Sequence, residues 1–123
     1  MGHNLTDLEV WKKSRVFRNE ISDLVKILPK QEKFRLVDQM IRASRSITAN
    51  IAEGHGRFHF QENIQYCRQA RGSLIEMLDH LTVALDERFI DQATFDEFEN
   101  KYEQLIKMLN GYIAYLKKRK SDD

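Results

Sequence analysis

Residues 94–116 read TFDEFENKYEQLIKMLNGYIAYL, and this stretch decides the fold class. Phe95, Phe98, Tyr102, Leu105, Leu109, Tyr112 and Leu116 recur in alternating steps of three and four, which aligns one face of an α-helix and cannot align a strand. Asp91 or Thr94 can cap the helix at its start. Lys117, Lys118, Arg119 and Lys120 then place cations at the negative end of its dipole.

The same period runs back through the chain. Phe60, Ile64, Cys67, Leu74, Leu78, Leu81 and Leu85, with Ala70 and Met77 alongside, predict a helix entered from Phe58. Before it, Phe34, Val37, Met40, Ile41, Ser44, Ile47, Thr48 and Ile51 predict another, closed at Gly54 by a left-handed glycine, so that Gly54-His55-Gly56-Arg57 is a turn. Val10, Phe17, Ile21, Leu24 and Leu28 give the first helix. Thr6-Asp7-Leu8-Glu9 reads as its capping box, and Pro29 forbids helix beyond Leu28. Four helices on short links force antiparallel neighbours: the expected fold is all-α, an antiparallel up-down-up-down four-helix bundle in one domain, residues 1–123.

Composition agrees and narrows the function. Apolar residues make up 41% and charged residues 32%, with five Gly and one Pro, too apolar for a disordered tail and too poor in turn formers for a β fold. One cysteine, Cys67, leaves no disulfide framework and no cysteine-based zinc site, and with no leader-like or membrane-length apolar run it points to the cytoplasm. Net charge is +1, but its distribution is uneven: residues 1–29 carry +1, 30–72 carry +4, 73–106 carry −7 and 107–123 carry +3. A basic middle and tail around an acidic third quarter suit self-association or one polyanion-facing surface.

Candidate chemistry is sparse. His55, His59 and Glu62 have metal-like spacing, but His55 lies in the Gly-flanked turn and no second carboxylate–histidine pair completes a set, so neither metal nor cofactor is expected. Cys67 falls on the apolar stripe and reads as core, and His80 reads as a surface residue. No phosphate loop, nucleophile elbow or paired catalytic carboxylate appears, so the chain reads as a non-enzyme. Arg35, Arg42 and Arg45 share one face of the second helix, and Arg57 and Arg68 extend the set past the turn, a phosphate-binding strip or an ordinary solvated face. Small residues in the second helix (Ala43, Ser44, Ser46, Ala49, Ala52) and Gly72-Ser73 in the third imply a close backbone approach, within the chain or between subunits.

The run QMIRASRSITANIAEG, residues 39–54, then Gly56-Arg57, then Ala70-Arg71-Gly72-Ser73-Leu74 with Glu76, resembles the signature of the bacterial four-helix-bundle proteins encoded in large-subunit ribosomal RNA intervening sequences. Leu8-Glu9-Val10-Trp11 matches that family's opening, and Thr48 stands where relatives often have Pro. Members are similar to the accessory protein of diversity-generating retroelements, a barrel of five such subunits that binds nucleic acid and a reverse transcriptase. The resemblance therefore implies a homopentamer with a scaffolding or RNA-binding role and no catalysis, with RNA, DNA or a reverse transcriptase-like protein as its candidate partners and no membrane.

Together these readings predict an oligomer that binds structured RNA or DNA through Arg35, Arg42, Arg45, Arg57, Lys117, Lys118, Arg119 and Lys120. Asn50, Glu53, Gly54, Gly56, Arg71, Gly72 and Ser73 form an architectural motif, in which Asn50 and Glu53 bond to each other or to Arg57 and Arg71. The rival readings are a pure protein-interaction scaffold and an all-α ribonuclease of the HEPN kind, the latter lacking the short Arg-to-His spacing it needs.

Overall fold

A computed structural model describes residues 4–122. Four α-helices account for most of them: α1 Glu9–Leu24, α2 Leu36–His55, α3 Phe60–Asp86 and α4 Gln92–Asp122. Single 3-10 turns lie at Leu5–Asp7, Val25–Ile27 and Lys30–Glu32, and there is no strand among the described residues. Each helix packs on its chain neighbours, most extensively α2 on α3, and α4 closes back on α1. This is the expected up-down-up-down bundle. It places the start of α1, the α2–α3 turn and the end of α4 at one end, here called the turn end.

The core is the sum of the four stripes. Ile21 of α1, Met40, Ile47 and Ile51 of α2, Ile64, Leu74, Met77 and Leu81 of α3, and Leu109 of α4 are almost wholly buried. Each removes apolar surface from water, which stabilises the fold by about 25 cal/mol per Å². Ile113 joins them on α4, between the half-buried Tyr112 and the buried Leu116.

Polar residues also bridge the helices. Ser46 and Ser73 meet hydroxyl to hydroxyl at 2.9 Å across α2 and α3, Arg71 donates to Asn110 Oδ1 at 2.9 Å across α3 and α4, and Lys101 pairs with Glu20 across α4 and α1.

Several local expectations are corrected. The capping box does not form: Thr6 lies inside the Leu5–Asp7 turn, which closes on its own backbone through Asp7 N–H to Asn4 and Leu8 N–H to Leu5, so extended Leu8 becomes the N-cap without a side-chain bond. Phe34 is 85% exposed, not core. The Lys30–Glu32 turn delays the start of α2 to Leu36, which takes the buried place, and Phe34 is left ahead of the helical register.

Gly54 does not close α2 but is a buried residue within it. The helix ends at His55 with Gly56 as C-cap at φ −78°, so no left-handed residue is used there. The left-handed position lies instead after α3, where Arg88 (φ 63°) forms a Schellman-type end: Phe89 N–H bonds Ala84 O and Arg88 N–H bonds Leu85 O. His80 is buried, 8% exposed, and bonded to Glu76 at 3.0 Å, because its position shares a helix face with Met77 and Leu81. Asp91, one of the two candidate caps of α4, fills that role by accepting the Thr94 N–H at 2.8 Å.

Candidate functional site

The α2–α3 turn is built around Gly54. A Cβ there would stand 2.7 Å from Asn63 Oδ1, 2.9 Å from Tyr66 Cβ and 3.0 Å from the Asn63 carbonyl. Only glycine allows α3 to start this close to the end of α2. Asn63, buried by that approach, donates to the Tyr112 hydroxyl at 3.3 Å and accepts the Cys67 thiol at 3.5 Å, tying α3 to α4. Burial pushes the Cys67 thiol up to about 11 and raises Tyr112 as well.

Arg57 sits at the centre of the turn. Its guanidinium bonds Glu53 at 3.0 Å, the Tyr66 hydroxyl at 2.8 Å and Glu62 at 3.5 Å, and lies 5.0 Å over the Tyr66 ring. Tyr66 first, then the two carboxylates, hold Arg57 above its ordinary value. Asn50 takes no part: its amide donates to the Ser46 carbonyl and hydroxyl one turn back. The expected bonds from Asn50 to Glu53, and from either of them to Arg71, therefore do not form. The ladder that does form is Glu53–Arg57–Glu62 with Tyr66. Gly72 is exposed, with nothing within 4 Å of a Cβ built on it, so the close approach within the chain belongs to Gly54 instead.

The eight expected basic residues fall in three places. Arg57, Lys117, Lys118, Arg119 and Lys120 share the turn end, where Lys120 donates to Gln61 Oε1 at 2.6 Å and Arg119 stands 5.6 Å over the Phe60 ring. Arg35 is at the opposite end, before α2. Arg42 and Arg45 lie along α2 between them, Arg42 within 3.8 Å of Asp38 and Arg35 within 3.8 Å of Glu32. Arg45 and Arg18 flank a groove of about 600 Å³ between α1 and α2, floored by Ser44, Ala49 and Ala52, and Arg18 donates to Thr48 Oγ1 at 3.3 Å.

Three adjoining depressions mark the turn end. One of about 580 Å³ is lined by Arg57, Phe58, Phe60, Tyr112, Tyr115 and Arg119, among others. The second, about 460 Å³, shares Phe58, His59 and Phe60 with the first and adds Lys120. The third, about 330 Å³, shares Gln61 and Lys120 with the second and adds Arg68 and Lys117. No carboxylate among the described residues lines any of them. Glu53 and Glu62 stand nearby, both bonded to Arg57. The acidic quarter, residues 73–106, occupies the far end of the α3–α4 hairpin.

The aromatic members of this surface are not legible as a group in the sequence. Phe58 reads as the entry to α3, and Phe60 and Tyr112 as members of the apolar stripes of α3 and α4, and only the return of α4 to the turn brings them together. No set of three or more His, Cys, Asp and Glu side chains among the described residues could hold a metal ion. No helix of the described residues is long and apolar enough to cross a membrane.

Comparison with known proteins places this architecture. No curated protein matches the chain. A crystal structure from Bacteroides thetaiotaomicron, of a protein of unknown function in the S23 ribosomal protein family, is 26% identical and superposes with a TM-score of 0.78 over 85% of this chain and 97% of its own. The family model for the 23S rRNA-intervening sequence protein matches residues 6–111, which includes the Gly54 turn and Arg57 but stops short of Lys117–Lys120. Because that match runs from the first turn into the second half of α4, and the fold superposes on nearly the whole of a solved relative, the chain belongs to the 23S rRNA-intervening sequence protein family.

Proposed function

We propose that the protein is a non-enzymatic, homo-oligomeric binder of structured RNA or DNA, and that the turn end is its contact surface. The observation that carries this is the lining of the three adjoining depressions: Arg57, Arg68, Lys117, Arg119 and Lys120 with no carboxylate among the described residues. A phosphate backbone needs such a run of cations; the acidic quarter lies at the far end, and the two nearby carboxylates, Glu53 and Glu62, are paired with Arg57.

A net charge of +1 does not attract a polyanion by itself. Self-association repeats the strip and converts weak binding into avidity. Five copies are the number implied by the family resemblance. Apolar side chains left in water on the outer faces, Val16, Ile75 and Met108 among them, offer surface for such an assembly.

Gel-shift titration with ribosomal RNA fragments and duplex DNA at low salt, beside light scattering, tests both halves. The expected result is a retarded complex formed by an oligomer. A particle of 14.6 kDa at micromolar concentration would contradict the assembly. An oligomer that retards neither nucleic acid would replace this reading with the protein-interaction scaffold.

A further inference from the structure

The cations of the turn end account for phosphate binding, but they leave its rings unexplained. Phe58 is 92% exposed in the link between α2 and α3, and its ring meets His59 edge to face at 4.9 Å. Nothing in the fold requires an apolar side chain at a position so open to water. Across the same depression Tyr115, 53% exposed, stacks on Tyr112 with planes within 18° and centroids 6.2 Å apart.

Rings and cations alternate along this surface. Phe58 and Phe60 line two adjoining depressions, one bounded by Arg57 and Arg119 and the other by Lys120. A protein partner's apolar face would be matched by an unbroken apolar patch. A duplex backbone would be matched by cations alone. Exposed π-faces interleaved with phosphate-binding cations fit a nucleotide whose base is unstacked, since the base needs a flat ring and its phosphate a charge. Bases inside a duplex offer their faces only to each other.

We infer that the turn end takes unpaired nucleotides, as in loops or single-stranded segments, with Phe58 and Tyr115 receiving base faces and Arg119 and Lys120 receiving phosphates. Arg57, held by Glu53, Glu62 and Tyr66, braces the turn that presents Phe58. This rests on the nucleic-acid reading above and adds the class of ligand.

Fluorescence anisotropy with a labelled short oligouridylate, and with a blunt RNA duplex of the same strand length, tests it at fixed low salt. The wild type should bind the unpaired strand more tightly than the duplex. Phe58→Ala, at a position too exposed to disturb the core, should weaken oligouridylate binding about tenfold, or about 1.4 kcal/mol, and leave duplex binding unchanged. Lys120→Gln should weaken both, which separates loss of charge from loss of stacking.

Equal binding of both ligands with no effect of Phe58→Ala would overturn this inference while leaving the nucleic-acid reading standing. Failure of both ligands to bind would overturn the two together. A Phe58→Ala protein with altered oligomeric size would show the ring to be a subunit contact and would also overturn it.

Discussion

The sequence reads Gly54 as the end of a helix and Gly72 as a close-contact residue within one, and the structure gives the close contact to Gly54 and leaves Gly72 open. At Gly54 two of the three atoms that a Cβ would meet belong to backbone or to another Cβ, so relief requires α2 and α3 to part. Gly54→Ala should cost about 1–3 kcal/mol. Gly72→Ala adds a methyl to open space and should stabilise by about 0.5–1 kcal/mol through helix propensity alone. Urea unfolding of the two variants beside the wild type checks the pair. The sequence identifies both as special but cannot assign the close approach, because that depends on which residues of the partner helix face each glycine. Asn63 and Tyr66 face Gly54, whereas beyond its chain neighbours and its own helix backbone nothing described stands within 4 Å of a Cβ at Gly72. The same limit explains His80, whose helical phase with Met77 and Leu81 outweighs its polarity once the Glu76 carboxylate accepts its ring N–H.

At the scale of the helices, periodicity is legible and ends are not. The α4 stripe reads almost completely, since each apolar step of three or four reports burial directly. The starts of α1 and α2 shift because 3-10 turns satisfy the same backbone groups as a side-chain cap, and such turns leave no periodic trace. Arg88, a non-glycine in the left-handed region, is likewise invisible to a rule that looks for glycine. The cap of α4 is legible and carries a pH signature. Bonds from Thr94, the side chain first and then the backbone N–H, hold the Asp91 carboxyl below its ordinary value. A depressed folded value means that the contribution is present above the unfolded value and lost as pH falls through the folded one. Asp91→Ala should therefore lower Tm by a few degrees at neutral pH, and the gap should shrink at an acidic pH below the ordinary carboxylate range. Thermal melts followed by circular dichroism at the two pH values check this.

At the scale of the whole molecule, topology does what no single segment can. An up-down-up-down path returns α4 to the α2–α3 turn, so the basic tail joins Arg57 and the aromatic residues of the α3 start, while the acidic quarter is carried to the opposite end. The basic strip read along α2 therefore splits, with Arg45 and Arg42 about three to four turns up the helix from the turn. The nucleic-acid contact proposed for the turn end is a property of this whole arrangement. Its most direct test is the slope of log affinity against log salt for an RNA fragment, compared between the wild type, the pair Arg119→Gln with Lys120→Gln, and the pair Arg42→Gln with Arg45→Gln. Removing one cation that neutralises a phosphate should flatten the slope by about 0.7–0.9. Binding at the turn end predicts a flatter slope and weaker binding for the Arg119 and Lys120 pair, and a wild-type slope for the Arg42 and Arg45 pair. The reverse pattern, or a slope that neither pair alters, would contradict it.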